Sequence, residues 1–319
     1  MHLWETASRP VPAPAEPVCN DSTPRYLTAR IVAHRQIAAA TFRIRLDCPE
    51  IATQALPGQF AMLRIPDRLD PLLARPLAVY DSFSAPEGDA VQGPPNQRRY
   101  VDFVYVVHGK FTTALKEIPP GEHLIVWGPL GNGFAAIPAV EHLVLVAGGI
   151  GQTALLALGK EQCGRASYGL PPRSRPTSRV TLCWGARTAA AFGDAANFSQ
   201  AGIDVHLATL DGSAGQQGTV IDLLNRIATT WNPSESLHVA CCGPEGMMEA
   251  VARWAAGRRI GCHVSLEAPM ACGIGICFTC VARIRETPAS GNSPDAPPAW
   301  DYRRTCVEGP IFDAAAIEW

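Results

Sequence analysis

The sequence predicts a multidomain chain in which an antiparallel β unit is followed by an α/β unit and a small cysteine-bearing C-terminal subdomain. Three observations carry this. Short β-like runs bounded by Pro, Gly or Asp dominate from Tyr26 onward; apolar runs alternate with helix-length segments from about Ala139; and four of the eleven cysteines cluster late in the chain. At 319 residues and 47% hydrophobic, the chain has enough apolar surface for more than one core. Its 27 Lys and Arg against 29 Asp and Glu leave a formal net charge of -2, with no basic field to hold a nucleic-acid backbone or an anionic membrane surface. The longest central apolar run, Leu143 to Ala147, is far short of the ~20 residues a bilayer crossing needs. A soluble cytoplasmic protein with neither nucleic-acid nor membrane partners is the expectation.

In chain order, residues 1–25 hold prolines at 10, 12, 14, 17 and 24, which break any helix or strand that starts, so a disordered tail is expected. Residues 26–136 form the β unit, with strands expected at Tyr26 to Ala33, Thr41 to Leu46, Gln59 to Ile65 and Tyr100 to Val107. Ser84 to Arg99 is expected to be a solvated excursion between two of them. Residues 137–262 form the α/β unit. Leu143 to Ala147 is its first strand, Gly148-Gly149-Ile150-Gly151 its turn and Gln152 to Glu161 its first helix, an opening of the βαβ type. Arg179 to Trp184, Ile203 to Thr209 and Leu237 to Ala240 supply further buried strands for a parallel sheet. Residues 263–319 carry the clustered cysteines, a second Pro-rich excursion from Thr287 to Ala299 and a closing segment.

Cys272, Cys277 and Cys280 are spaced C-x4-C-x2-C, and Cys306 follows twenty-five residues later. This is the plant-type [2Fe-2S] spacing: four thiolates must converge, three of them from one tight loop, and Gly273 and Gly275 let the backbone wrap closely. The alternatives are a zinc site or a set of buried thiols. Zinc favours two short clips, and the sequence has one. The remaining seven cysteines lack motif spacing and fit a compartment where thiols stay reduced.

Two further motifs resemble those of the ferredoxin reductase superfamily. Arg75-Pro76-Leu77-Ala78 resembles its flavin motif, with Ala78 standing where a hydroxyl residue is usual. Val104-Tyr105-Val106 would be the next flavin-facing strand, and His108 to Thr113 resembles the family's phosphate turn, with Phe111 in place of a glycine and Thr112 retained. Gly148, Gly149 and Gly151 follow a strand and open a helix, the context that holds a phosphate on backbone N–H groups. Cys242-Gly243-Pro244 with Met247-Met248 resembles the segment closing the superfamily's nicotinamide site, and Gly185 to Thr188 and Asp211 to Ser213 fall where the superfamily carries them. Read from the residues alone, a Met pair at helical spacing is an ordinary core feature and Arg187 an ordinary solvated residue.

Taken in order, these motifs resemble the electron transfer subunits of dihydroorotate dehydrogenase B from about Tyr26 to Trp319, most specifically in Gly128 to Phe134, Ser265 to Gly275 and Glu308 to Ala314. The resemblance implies a flavin-binding β-barrel, FAD and a [2Fe-2S] cluster as cofactors, and NAD as acceptor. It also implies an FMN-containing catalytic subunit that oxidises dihydroorotate to orotate for pyrimidine biosynthesis, in a heterotetramer with two copies of each chain. Catalysis then means cofactor placement, with no side-chain acid or base to nominate, and Met270 to Cys280 near the partner. One arginine, Arg187, leaves NAD against NADP open. The alternatives are a flavin and iron-sulfur reductase subunit of a transhydrogenase, glutamate synthase or sulfhydrogenase complex, a monooxygenase reductase, and a non-enzymatic redox-sensing module.

Overall fold

The computed structural model describes residues 23–85, 93–134, 137–169, 176–285 and 300–319. The tail up to residue 22, the middle of the first excursion and all of the second lie outside these.

Residues 25–130 build a closed antiparallel barrel. Its strands are β1 (Arg25–Ala38), β2 (Thr41–Asp47), β3 (Phe60–Arg64), β4 (Arg75–Phe83), β5 (Tyr100–Val106) and β6 (His123–Leu130), ordered β1-β2-β5-β4-β3-β6 around the barrel. Closure removes the sheet edges. The turn α1 (Pro49–Ala52) and helix α2 (Gly109–Leu115) cap it. Ile31, Ile44, Leu46, Val101, Phe103 and Val126 fill the interior, and the first strand begins at Arg25, inside the segment expected to be disordered.

The second sheet has seven strands: β7 (His142–Gly148), β8 (Arg179–Ala186), β9 (Asp204–Thr209), β10 (Gln216–Gln217), β11 (Leu237–Cys242), β12 (Gly261–Ser265) and, last, β15 (Ile311–Asp313). The order β10-β9-β8-β7-β11-β12-β15 is parallel except for β15. β7 is buried along its whole length, as a strand covered on both faces must be. The helices are α3 (Leu156–Gln162), α4 (Ala195–Gln200), α5 (Val220–Thr230) and α6 (Glu245–Ala256); α5 opens on a capping box in which Thr219 and Asp222 satisfy each other's free groups. A two-stranded ribbon, β13 (Val281–Arg285) with β14 (Trp300–Arg304), completes the fold.

Three expectations change. The segment Gln152 to Glu161 is not one α-helix: a 3-10 turn covers Gly149–Ala154 and α3 starts at Leu156. Glycine disfavours α-helix, and Gly151 is pressed against the Cys242 carbonyl, so the turn stays tight. Arg98, placed in a solvated excursion, is instead buried, donating to Ser82 Oγ and the Ser167 carbonyl with its guanidinium over the Tyr168 ring. Finally, the sheet of the α/β unit, expected to lie within residues 137–262, runs past Cys262. β12 crosses that point, and β15 returns to pair with it through His263↔Asp313, Val264↔Phe312 and Ser265↔Ile311.

The closing strand is tied to the barrel by a clasp. Asn132, just after β6, donates its amide N–H to the Gly309 carbonyl and its Nδ2 to the Glu308 and Ile311 carbonyls, while its Oδ1 accepts from the Ile311 N–H. Gly131 has φ +79, and a Cβ there would meet Pro310 at 2.5 Å.

Candidate cofactor sites

The flavin-motif residues flank a gap in the barrel wall. The β4–β5 ladder runs from Phe83↔Tyr100 to Val79↔Phe103 and ends there, so Pro76, Leu77 and Ala78 have no hydrogen-bonded partner across from Val104, Tyr105 and Val106. On their other sides both segments are fully paired: Phe60↔Ala78 and Met62↔Pro76 in β3, Arg43↔Val104 and Phe42↔Tyr105 in β2. A planar ring could lie along such an opened seam, with strand backbone on both sides. Arg75, at the exposed start of β4, donates to the Ala74 carbonyl at 2.9 Å, and its solvent side is free for an anion. The Tyr105 ring belongs to the barrel interior, its hydroxyl 2.8 Å from His34 Nε2. Phe111 also turns into that interior from α2, and Thr112 Oγ1 is bonded to the backbone of His108.

The nucleotide motifs meet at the carboxyl ends of the parallel strands, where the order reverses between β7 and β11, the usual crevice of such sheets. A Cβ on Gly148 would meet Met247 Sδ at 2.5 Å and Pro244 at 2.7 Å, and one on Gly243 would meet Gly148 at 2.9 Å. Only glycine allows this contact of the two turns. Gly149 differs: its φ is +53, nothing lies within 4 Å of where its Cβ would be, and its carbonyl is fixed by Trp184 Nε1 at 2.8 Å. Beside it Gln152 is buried with Oε1 unpartnered, an acceptor that a donor such as a ribose hydroxyl or a carboxamide would satisfy. Burial pushes the Cys242 thiol up to about 12, so it is a neutral thiol here. Asp211 accepts from Ser213 and Ser213 Oγ from the Ala189 N–H, which sets the loops after β8 and β9 around the same crevice.

The four motif cysteines lie on the barrel's flank: Cys280 and Cys306 share one buried cluster, Cys272 accepts from the Ile274 N–H, and Cys277 is exposed with its Sγ 3.1 Å from Thr279 Oγ1. Four thiolates are what a two-iron cluster requires. Among the described residues no three or more His, Cys, Asp or Glu side chains gather closely enough for a single metal ion. Gly273 and Gly275 have φ +72 and +80, and a Cβ at either would run into Met62 or Val307 at 2.5 to 2.7 Å. Thr279 and Cys272 pull the exposed Cys277 thiol down to about 6, whereas burial pushes Cys306 up to about 12. Beneath the loop lie Phe60, Met62 and Leu130, with Trp127 donating to the Cys272 carbonyl at 3.0 Å. Leu130 belongs to the Gly128 to Phe134 motif; the sequence did not point to Phe60, Met62 and Trp127, barrel-wall residues with no motif of their own.

With this geometry in view, comparison with known proteins is decisive. Residues 267–318 match the iron-sulfur cluster binding domain of dihydroorotate dehydrogenase B. The dihydroorotate dehydrogenase B (NAD(+)) electron transfer subunit of Desulforamulus reducens is 31% identical over 295 residues, 92% of this chain and 99% of that one. The chain belongs to the family of dihydroorotate dehydrogenase B electron transfer subunits. The homologue of that subunit in Aquifex aeolicus is 30% identical over 90% of this chain and 96% of its own length. Among solved structures, the NADH-dependent reduced ferredoxin-NADP oxidoreductase has the same fold, with a TM-score of 0.69 at 24% identity over 91% of this chain and 90% of that one. The ferredoxin reductase of carbazole 1,9a-dioxygenase follows at 0.58 and 19%, over 74% and 67%. The barrel, parallel sheet and C-terminal cluster-binding subdomain are thus the architecture of a ferredoxin reductase with the family's iron-sulfur unit appended. No helix among the described residues is long and apolar enough to cross a membrane.

Proposed function

We propose that this chain is the NAD-linked electron transfer subunit of a dihydroorotate dehydrogenase complex, receiving electrons from a catalytic subunit that bears FMN and delivering them to NAD+ in pyrimidine biosynthesis. FAD, stable with one or two added electrons, joins a one-electron iron-sulfur carrier to a two-electron nicotinamide. Cys272, Cys277, Cys280 and Cys306 would hold the cluster. Arg75, Pro76, Leu77 and Ala78, with Val104, Tyr105 and Val106, would line the flavin, with Phe111 and Thr112 offering backbone N–H groups to its phosphates. Gly148, Gly149 and Gly151, with Cys242, Gly243 and Pro244, would cradle the nicotinamide dinucleotide. The chain's own contribution is to orient these groups and exclude water from between them.

One residue carries the reading. Met62 faces Pro76 in the β3–β4 ladder and lies under Gly273 of the cysteine loop. A single strand therefore separates the flavin motif from the cysteine loop, and the Gly149–Ala154 turn packs on β4 and β5. This adjacency supports a relay running from cluster to flavin to nicotinamide.

An exposed apolar face on the cysteine loop supports a catalytic partner there. Ile274, Ile276, Phe278 and Val307 are exposed, Ile276 by 75%, with the Arg304 guanidinium over the Phe278 ring. We infer a heterotetramer of two copies of each chain and a cytoplasmic home; all ten described cysteines are free thiols, which supports a reducing compartment. The test is dihydroorotate-dependent NADH formation by the complex captured from native extract with this chain as bait. NADH formation is expected. A complex that holds FAD and iron and oxidises NADH with an artificial acceptor, yet ignores dihydroorotate, would overturn the assignment.

A further inference from the structure

Asp81 lies on β4, three residues beyond Ala78 and at the bulge where the β4–β5 ladder opens. It is fully buried, yet a charged and a polar side chain meet it from the other domain. Lys160 Nζ, on α3, donates to its Oδ2 at 2.5 Å, and the Tyr168 hydroxyl donates to its Oδ1 at 2.7 Å. The Ser82 N–H also donates to Oδ1, and Lys160 stands over the Phe83 ring. Arg98 lies across the Tyr168 ring and bonds both Ser82 and the Ser167 carbonyl, so the end of β4 is fastened to the segment after α3 at three points.

Apolar contacts between the two domains would cost less than this. A buried ion pair must overcome the desolvation of both charges, and its attested use is to fix a register rather than to add stability. What it registers here is specific. Lys160 sits on the helix that follows the Gly149–Ala154 turn, and Asp81 on the strand that starts with the flavin motif. We infer that Lys160, Asp81 and Tyr168 are positioning residues that set the nicotinamide against the flavin ring for hydride passage. This rests on the cofactor placement proposed above.

In that passage NADH loses a hydride, one proton with two electrons, and the flavin gains it, so the rate depends on the approach of two rings held by different domains. A misplacement of about 1 Å can cost about 10²-fold. The experiment uses the FAD-loaded complex under anaerobic conditions. Lys160→Met and Asp81→Asn are expected to slow flavin reduction by NADH by about 10²-fold, with the NADH dissociation constant unchanged. The long-wavelength charge-transfer absorbance of the flavin–nicotinamide pair should be lost and amide hydrogen exchange should rise in residues 75–83 and 156–162. Lys160→Arg should restore the band. Tyr168→Phe keeps the ion pair and removes one hydrogen bond, so about tenfold slowing is expected, and it decides the matter where the charge variants do not fold. Variants that melt earlier but keep the wild-type rate and band would overturn the inference. A wild-type complex that NADH does not bleach would instead overturn the cofactor placement itself.

Discussion

Cys277 is the ligand candidate whose role can be isolated, because it is the one fully at the surface and packs in no core. Replacing it with Ser should abolish electron exchange with the catalytic subunit while leaving NADH-to-FAD reduction measurable by stopped-flow absorbance; equal loss of both would contradict the order of carriers. At this scale the backbone demands were legible: the glycines at 148, 151 and 243 stand where a Cβ would collide, and Gly149 has φ +53. The spacing of Cys272, Cys277, Cys280 and Cys306 was legible as a pattern, because clustered thiols carry a chemistry that few residue types supply. Lys160, Asp81 and Gln152 were not legible. A charge or amide acquires its meaning only when a distant segment buries it, and Asp81 and Lys160 are 79 residues apart in the chain.

Among the elements, β11 and β12 carry an acid sensitivity that follows from their pairing. His238 Nε2 and His263 Nδ1 are 2.8 Å apart, His238 buried against Gly261 and His263 beside Asp313. Burial, then the neighbouring ring, holds His238 down to about 3, and burial lowers His263 as well. The unfolded chain binds a proton on His238 near pH 6.5, the folded chain only near 3. The associated stability is therefore complete above pH 6.5 and is lost as pH falls from there toward 3, by about 2 kcal/mol at pH 5 for His238. Urea unfolding at pH 7 and pH 5 should show this drop, and His238→Gln should flatten it. Strands with a long apolar run between turn residues were readable, whereas β6, β10 and β12 to β15 were not expected. The pair β12 and β15 is instructive: β15 is three residues long and β12 stands next to a cysteine-rich stretch, so neither has the length or alternation that marks a strand locally. Pairing between them, not propensity, makes both.

For the whole molecule, the apolar face around the cysteine loop is the natural place to break the complex without unfolding the subunit. Ile276→Asp buries a charge at the centre of the proposed interface and should weaken assembly by about 10²-fold, read by analytical ultracentrifugation, with iron content and the cluster's paramagnetic resonance signal retained. Loss of the signal together with assembly would place Ile276 in the cluster's own support. Domain order was legible from composition, since the change from alternating strands to apolar runs with glycine turns is a change of layer architecture. The contact between domains was not, because it consists of side chains that look solvated in sequence.

The Asn132 clasp bears on how the protein is made. Three of the four cluster thiols lie within one nine-residue stretch, but Cys306 is set in place by a segment whose carbonyls are gripped by Asn132 across more than 170 residues of sequence. A chain still being synthesised can shape the loop yet offers only three of the proposed ligands; the fourth arrives with the last residues, held beside Cys280 by Thr305, whose N–H and hydroxyl both donate to the Cys280 carbonyl, and fastened to the barrel by Asn132. On the proposed ligand set, the site is completed only once the end of the chain has folded back onto its beginning.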